Sequence, residues 1–271
     1  MTKPSISILG CGWLGFPLAK RLTAQGYTVS GSTTQISKLV LLRNSDINPF
    51  LITCSPHIEG EQVDHFFHSQ VLILTLPFKR NMIDPNYYRD QIQSIVSKVN
   101  QSNIKFVIFS SSTAIYRSDT EIASESDYFE PDNLRSKVLL EVEHLLMENK
   151  NFQSTIIRFA GLYGDERELY RFLKGPKAKQ RDGQSPVNLI HQDDCIEIIY
   201  KIICNNIRGE IFNAVSDVHP TRKELYTRKA LELGLEAPVF EQNEKESRKI
   251  VSNKKVKEML NYQFIHPDPS E

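Results

Sequence analysis

The sequence lacks the features that mark nucleic-acid-binding proteins, membrane proteins and secreted proteins. Its 33 Lys and Arg residues equal its 33 Asp and Glu residues, so no basic surface for nucleic acid or anionic lipid is predicted. No apolar run approaches the ~20 residues that a membrane-spanning helix needs. Residues 1–4 lead directly into a short strand pattern, without the regions of a signal peptide. These absences favour a cytoplasmic protein that acts on a small molecule.

Cysteine is also scarce. The four cysteines are Cys11, Cys54, Cys195 and Cys204, and none of them forms a C-x-x-C pair. Free thiols in a reducing cytoplasm are a simpler interpretation than disulfides or a zinc site. The sequence therefore predicts no metal centre.

Short β-branched runs alternate with longer amphipathic stretches throughout most of the chain. Strands are predicted at residues 5–9, 27–30, 50–52, 71–76, 105–109, 155–159 and 211–214. Helices are predicted at residues 14–25, 34–44, 85–100, 132–148 and 193–204, with another after a capping box that begins at Thr221. This order is typical of an α/β protein with a doubly wound parallel sheet of the Rossmann type.

The domain prediction follows this pattern. Residues 1–165 form the Rossmann core, to which residues 187–215 return. Residues 166–186 and 216–271 form a small C-terminal substrate lobe over the edge where open α/β sheets bind ligands. The polar, proline-containing tail at residues 264–271 is expected to fray.

A glycine-rich turn, G-C-G-W-L-G, lies between the first strand and the first helix. In such turns the first glycine allows the tight bend, the second lets the backbone approach a pyrophosphate, and the third lets helix and strand pack closely. The sequence therefore predicts a dinucleotide site, with packing-only glycines as the alternative. A methyltransferase is disfavoured because no acidic residue precedes the turn. The predicted contacts are Gly10, Gly12, Trp13, Leu14 and Gly15.

No Asp or Glu occurs before Asp46, although an NAD site usually has one about 20 residues after the turn. Hydroxyl groups stand there instead, followed by the cations of Lys38 and Arg43. Hydroxyls and cations suit a 2′-phosphate, which a carboxylate would repel. NADP is therefore predicted over NAD, with helix capping as the alternative role of the hydroxyls. The hydroxyl-bearing residues are Ser32, Thr33 and Thr34.

A second group of hydroxyls follows the strand at residues 105–109, in the run S-S-S-T-A-I-Y that ends at Tyr116. Such groups at the carboxyl end of a central strand suit chemistry, and they could equally cap a turn. Here the sequence resembles the short-chain dehydrogenase/reductase superfamily in its extended or atypical branch. Four other segments resemble that family: L-T-L-P at residues 74–77, R-F-A-G-L-Y-G at 158–164, N-L-I-H-Q-D-D at 188–194 and G-E-I-F-N at 209–213. The chain's G-W-L-G turn, T-L-P strand and V-N-L-I-H segment resemble those of the YeeZ-like epimerase/dehydratase proteins within that superfamily.

The resemblance implies an oxidoreductase or an epimerase/dehydratase that acts on a small polar metabolite with NAD(P). It places Leu76 and Pro77 beside the cofactor, Ser112 at the catalytic serine position and Lys137 on the nicotinamide ribose. The family's Y-x-x-x-K motif is incomplete, because Asn133 stands where the tyrosine belongs.

Asn cannot transfer a proton at neutral pH. Tyr116 is the nearest replacement and is predicted as a catalytic residue, with a packed turn tyrosine as the alternative; Tyr128 and Tyr163 are weaker candidates. The other hypothesis is a dinucleotide-binding sensor or regulatory protein that has lost its chemistry.

Several residues would lie near the open edge of the sheet if the family layout holds, where they could bind a substrate. Arg167 and Lys174 could equally be solvated surface charges, and His191 could cap the following helix. The stretch S-P-V at residues 185–187 replaces the arginine that grips a diphosphate in sugar-nucleotide enzymes of the family. The predicted substrate contacts are Tyr163, Arg167, Asn188 and His191.

The helices at residues 85–100 and 132–148 carry apolar side chains on more than one face. Such helices can cover a sheet with one face and bind a partner with another. Because members of the family often dimerise through this helix pair, a homodimer is predicted.

Overall fold

The computed structural model describes residues 3–78, 84–169, 182–240 and 248–271 of the chain. The strands are β1 (Ile6–Leu9), β2 (Val29–Thr33), β3 (Asn48–Cys54), β4 (Ile58–Gly60), β5 (Val71–Leu74), β6 (Phe106–Ser112), β7 (Ile122–Ala123), β8 (Gln153–Phe159), β9 (Gly161–Tyr163), β10 (Leu189–His191), β11 (Ile211–Ala214) and β12 (Ile250–Val251). The helices are α1 (Gly15–Ala24), α2 (Ser37–Arg43), α3 (Val63–Phe66), α4 (Asn86–Asn100), α5 (Leu134–Met147), α6 (Gln192–Cys204), α7 (Arg222–Glu232) and α8 (Lys254–Leu260). A 3₁₀ turn at Thr113–Ile115 follows β6.

Eight strands form the central sheet in the order β11-β8-β6-β5-β1-β2-β3-β4. Strand β1 pairs in parallel with both β2 and β5, and β6 continues the parallel pairing beyond β5, whereas β4 is antiparallel to β3. All four residues of β1 and of β5 are buried, as expected for parallel strands covered by helices on both faces. The doubly wound α/β fold predicted from the sequence is confirmed.

The chain divides into two compact units. The first comprises residues 1–115, 131–157 and 199–211, and the second comprises residues 116–130, 158–198 and 212–271. The boundaries between these units differ from the predicted domain boundaries. They fall inside β8, α6 and β11, whereas the predicted ones fall between elements. Residues 116–130, which the sequence assigns to the core, belong to the second unit, where β7 pairs in parallel with β12.

The expectation that the C-terminal tail frays is wrong. The backbone N–H groups of Ile265 and His266 donate to the carboxylate of Asp194 at 2.7 and 3.1 Å. Phe264 and Ser270 are buried. The polar composition of the tail concealed this anchoring, since the acceptor lies in α6.

The remaining differences concern short elements and boundaries. Strand β5 ends at Leu74, before its predicted end, and β6 extends beyond its predicted end to Ser112. The prediction missed several short elements: β4, β7, β9, β10, β12, α3 and α8. The four cysteines are free thiols, as predicted. Within the described ranges, no helix combines the length and the apolar character needed to cross a bilayer.

Candidate functional site

The β1–α1 turn is built by two of its glycines. Gly10 has φ +109°, a conformation that favours glycine, and the Thr75 hydroxyl donates to its carbonyl oxygen at 2.7 Å. A Cβ on Gly15 would lie 2.3 Å from that same oxygen. Both glycines are therefore required by the geometry of the turn itself.

Gly12 differs, because a Cβ there would meet only the carbonyl oxygen of Gly10, at 4.0 Å. The residue is exposed and its φ needs no glycine. In the described part of the chain, no main-chain acceptor faces the N–H groups of Leu14 and Gly15 at the start of α1. An open approach beside unpaired helix N–H groups fits the pyrophosphate of a dinucleotide.

The hydroxyls at the end of β2 mostly serve the protein itself. The Ser32 hydroxyl accepts the N–H of Gly10 at 2.9 Å and is buried, so it supports the glycine turn. The Thr33 hydroxyl accepts the N–H of Gln35 at 3.1 Å, which is a local turn contact. Thr34 is exposed and Lys38 is half-buried. Of the three hydroxyl residues predicted to contact the cofactor, only Thr34 faces solvent.

The segment that follows β5 is held by two residues that the motifs did not single out. Tyr88 donates its hydroxyl to the Leu76 carbonyl at 3.1 Å and stacks on Phe78, with ring centroids 4.5 Å apart. Arg135 donates to the Phe78 carbonyl, and its guanidinium lies 4.1 Å from the Phe78 ring centroid. Burial raises the pKa of the Tyr88 hydroxyl, which stays neutral. These contacts of Tyr88 and Arg135 fix the segment that contains Leu76 and Pro77. The only sequence signal for them is that Arg135 lies between Asn133 and Lys137, in the segment that corresponds to Y-x-x-x-K.

The start of α5 explains the incomplete Y-x-x-x-K motif. Asn133 is the N-cap of this helix, and its side-chain oxygen accepts the N–H of Ser136 at 2.9 Å. Ser136 donates its hydroxyl to the Ala114 carbonyl at 3.1 Å, which ties α5 to the turn after β6. Lys137 is exposed one turn into the helix. The residue in the tyrosine position therefore begins the helix, a task for which a tyrosine side chain is unsuited.

The two serines at the end of β6 differ in burial: Ser111 is buried and Ser112 is half-buried. Ser111 donates to the buried carboxylate of Glu143 at 2.5 Å, which joins β6 to α5. The Ser112 hydroxyl is half-buried and accepts the N–H of Ala114 at 3.1 Å. Since that contact uses an acceptor site of Ser112, its proton remains available for donation.

Tyr116 lies in the second compact unit, and its phenol is buried. The hydroxyl donates to Oδ1 of Asn213 at 2.8 Å and accepts from Nη1 of Arg158 at 2.8 Å. Burial raises the pKa of Tyr116, which the Arg158 guanidinium partly offsets. With both contacts made and 3% of the residue exposed, this tyrosine is placed as a packed residue of the second unit.

Three of the four predicted substrate residues also have structural partners within the second unit. The Asn188 amide donates to the Lys249 carbonyl and accepts the N–H of Val251, both at 2.8 Å, so it holds β12. The Tyr163 ring packs edge-on against His191, with centroids 5.0 Å apart. Arg167 is exposed and donates its backbone N–H to Gly164. Lys174 lies outside the described residues, and Tyr128 is exposed.

His191 belongs to a cluster at the β10–α6 junction. Its Nδ1 accepts the N–H of Asp193 at 3.2 Å, the capping contact that the sequence suggested. The His191 and His266 ring centroids are 3.7 Å apart, and Nε2 of His266 lies 3.1 Å from Oδ2 of Asp193. Burial, and then the neighbouring His266, lowers the pKa of His191. His266 is 73 residues from Asp193 along the chain, so no local motif could reveal the cluster.

Two surface cavities are lined by residues outside the glycine turn. One, of about 680 Å³, is lined by the start and exposed face of α7, including Thr221, Thr227 and Arg228. The other, of about 450 Å³, lies between β4 and α4 and is lined by His57, Ser94 and others. Neither contains a residue that the sequence singles out for chemistry.

The sheet order and the glycine turn define the class of the protein, a Rossmann-type α/β fold of the kind found in short-chain dehydrogenases and sugar-nucleotide epimerases. No family model matches the sequence. Protein YeeZ of Escherichia coli (strain K12) is 32% identical over 267 residues, which cover 97% of each chain. The chain belongs to the YeeZ family.

Solved structures share the fold. UDP-glucuronic acid 4-epimerase from Bacillus cereus, in complex with NAD, aligns with a TM-score of 0.82 at 18% identity and covers 98% of this chain and 93% of its own. A short-chain dehydrogenase/reductase superfamily protein from Agrobacterium tumefaciens, with bound NAD, aligns with a TM-score of 0.77 at 14% identity, covering 96% and 92%. At these identities the likeness establishes the fold.

Proposed function

We propose that the protein binds a nicotinamide dinucleotide at the β1–α1 turn and acts as an oxidoreductase or epimerase/dehydratase on a small polar metabolite. The observation that carries this proposal is Gly12, whose missing side chain serves no packing purpose in the turn. A glycine that the fold does not need is explained by a ligand that approaches the backbone.

The residues of the first unit have distinct parts in this proposal. The N–H groups of Leu14 and Gly15 donate to the pyrophosphate, and Leu76 and Pro77 flank the cofactor. Lys137 binds the nicotinamide ribose. The Ser112 hydroxyl keeps its proton and donates a hydrogen bond to the reacting oxygen of the substrate, which stabilises charge there. The dinucleotide, when bound, supplies hydride chemistry.

The second candidate is a dinucleotide-responsive sensor without chemistry, and the N-cap role of Asn133 favours it. A positioned general acid or base contributes roughly 10²–10⁴ in rate, which corresponds to about 3–5 kcal/mol of barrier. Because Tyr116 is buried and engaged, it is a poor substitute. An enzyme with this site needs another proton donor or runs slowly.

NADP is the proposed cofactor. The chain has no acidic residue before Asp46, Thr34 is exposed, and Lys38 and Arg43 follow on α2. A cation near the end of β2 stabilises a 2′-phosphate. NAD is the alternative, because it is the cofactor named in the solved structures that share the fold.

The first test is thermal unfolding of the purified protein with NADPH, NADP, NADH, NAD and, as a control, S-adenosylmethionine. A ligand at about 100 times its Kd adds about 2.7 kcal/mol, which at roughly 2–4 °C per kcal/mol gives a shift of about 5–11 °C. We expect the larger shift with the phosphorylated cofactors and none with S-adenosylmethionine. No shift with any nicotinamide cofactor, confirmed by calorimetry, would refute the proposal.

Chemistry is tested separately, by following cofactor oxidation during a screen of small polar metabolites. Ser112→Ala is expected to abolish a detected activity, and Lys137→Ala to weaken it together with cofactor affinity. If both variants keep full activity, the site assignment is wrong. Tight cofactor binding with no turnover would favour the sensor.

We further propose a cytoplasmic homodimer that uses α4 and α5. These helices pack against each other, and Leu134 on α5 remains half exposed. The four free thiols agree with a reducing compartment. A dimer mass in light scattering supports the assembly, and a single monomer mass across the concentration range overturns it.

A further inference from the structure

We propose that His191, Asp193 and His266 form a binding site for a divalent transition-metal ion in the second compact unit. The three side chains offer one ligand atom each, and these atoms all lie within 4.8 Å of one another. The sequence predicted no metal centre, since two of the ligands are near in sequence and the third is at the far end of the chain. The site shares no residue with the proposed cofactor site, so either proposal can fail alone.

The spacing of the ligand atoms suits an ion. Oδ2 of Asp193 lies 3.3 Å from Nδ1 of His191 and 3.1 Å from Nε2 of His266. Ligands bound at about 2.0–2.1 Å in a tetrahedral zinc site lie about 3.3 Å apart. The two histidine ligand atoms lie within 4.8 Å of each other, so one ion can contact all three side chains once they adjust.

The hydrogen bonding at His191 indicates which ring nitrogen lies unprotonated near the carboxylate of Asp193. Its Nδ1 accepts the N–H of Asp193, so in that tautomer this nitrogen carries no proton. The carboxylate oxygen 3.3 Å away has no proton to offer either. A metal ion bound here would take the Nδ1 lone pair in place of the Asp193 N–H and would also bind the carboxylate oxygen.

The surrounding residues hold the ligands in place. Asp194 is fully buried and accepts the backbone N–H of His266 at 3.1 Å and the hydroxyl of Tyr262 at 2.7 Å. The Tyr163 ring packs edge-on against His191. Such supporting contacts orient metal ligands before the ion arrives, which lowers the entropic cost of binding.

The chemistry of the three ligand groups favours one class of metal ion. Two imidazoles and one carboxylate suit Zn²⁺, Co²⁺, Ni²⁺ or Cu²⁺, whereas Mg²⁺ and Ca²⁺ prefer oxygen ligands. Three protein ligands leave a coordination position for water. Because the site joins the start of α6 to the C-terminal tail, a bound ion would also stabilise that junction.

The experiment uses the untagged full-length chain after chelator treatment and dialysis. Isothermal titration with Zn²⁺ is expected to show one tight site per chain, and Co²⁺ should give the d–d absorption of a histidine-containing site. Added Zn²⁺ should raise the midpoint of thermal unfolding, and Mg²⁺ should not.

Variants identify the ligands. His266→Gln and Asp193→Asn are expected to weaken Zn²⁺ binding by roughly 100-fold and to remove the Co²⁺ spectrum. His68→Ala is the matched control, because His68 is exposed and adjoins another histidine, with ring centroids 5.8 Å apart. His266→Gln keeps a polar side chain of similar length, and circular dichroism checks that the variant is folded. Absence of binding to the parent chain, or a loss with His68→Ala equal to that with His266→Gln, would overturn the proposal.

Discussion

Gly12 and Gly15 lie in the same turn, but glycine is favoured at the two positions for different reasons. A methyl group on Gly15 would overlap the Gly10 carbonyl at 2.3 Å, whereas the same group on Gly12 has 4.0 Å to its nearest neighbour. Overpacking against rigid backbone destabilises a protein, while a methyl group in open space does not. Gly15 therefore serves the protein, and Gly12 serves the proposed ligand.

Gly15→Ala is expected to destabilise the fold by about 1–3 kcal/mol, which lowers the midpoint of thermal unfolding by about 2–12 °C. Gly12→Ala should leave that midpoint within about 1 °C of the parent, while reducing dinucleotide affinity at least roughly tenfold. Thermal unfolding without ligand and calorimetry with NADPH check the pair. Equal loss of stability in both variants would contradict the geometry of the turn.

At the scale of an element, α5 begins at an asparagine with a structural task. Asn133 is extended, with φ −152° and ψ 161°, and its side chain caps the N–H of Ser136. Replacing an N-cap Asn by Ala costs about 0.5–2 kcal/mol, while Asp and Ser are equivalent caps.

Asn133→Ala is therefore expected to lower the free energy of unfolding by about 0.5–2 kcal/mol in urea titrations. Asn133→Ser should preserve it. Asn133→Tyr, which recreates the Y-x-x-x-K pattern, should lose as much stability as the alanine variant, because it too lacks a cap. Full stability of the tyrosine variant would show that the cap contributes little.

One buried carboxylate makes three hydrogen bonds to the C-terminal segment. Asp194 accepts hydrogen bonds from the Tyr262 hydroxyl and from two backbone N–H groups of the tail, and none of its surface is exposed. Burial and the adjacent Asp194 raise the pKa of Tyr262, so this hydroxyl keeps its proton and remains a donor.

Asp194→Ala should cost about 3 kcal/mol, since it leaves the buried Tyr262 hydroxyl and two part-buried backbone N–H groups without this partner. Hydrogen exchange at the amides of Ile265 and His266 should become fast. Glu258→Gln is the control, because its exposed carboxylate pairs with Lys254 within α8. Unchanged protection of both amides in Asp194→Ala would disprove the anchoring.

For the whole molecule, buried imidazoles set a direction for the pH dependence of stability. Burial lowers the pKa of His219, partly offset by the Val187 main chain and by Asp217, and burial lowers that of His191 as well. The unfolded chain then binds protons below its histidine pKa of about 6.5 that the folded chain resists. These contributions to stability are complete above pH 6.5 and decline as the pH falls through the folded-state values.

Urea unfolding between pH 8 and pH 5 should thus show falling stability toward acid, and His219→Gln should flatten the slope. The Nδ1 atom of His219 is buried without a hydrogen-bond partner among the residues described, so a proton there would be poorly solvated. An exposed control, His144→Gln, should leave the slope unchanged. A steeper slope in His219→Gln would reverse the sign of this prediction.

Local patterns predicted the sheet well. Apolar runs located β1, β5 and β11 within two residues of their observed ends, and the capping box at Thr221 begins α7. The short strands β7 and β12 were missed because each has two residues and exists only through its pairing partner. The β2 hydroxyls show a further limit, since composition does not reveal that Ser32 points into the glycine turn.

By itself the sequence determined the α/β class, the glycine turn and the starts of α1, α4, α6 and α7, because those depend on residue spacing and on conformational preferences over a few positions. Tertiary structure alone decided that Tyr116 is buried against Arg158, that Asp194 anchors the tail and that His266 meets His191. Each of these contacts joins residues far apart in the chain. Whether two such side chains meet is decided by how the elements pack, which no local pattern records.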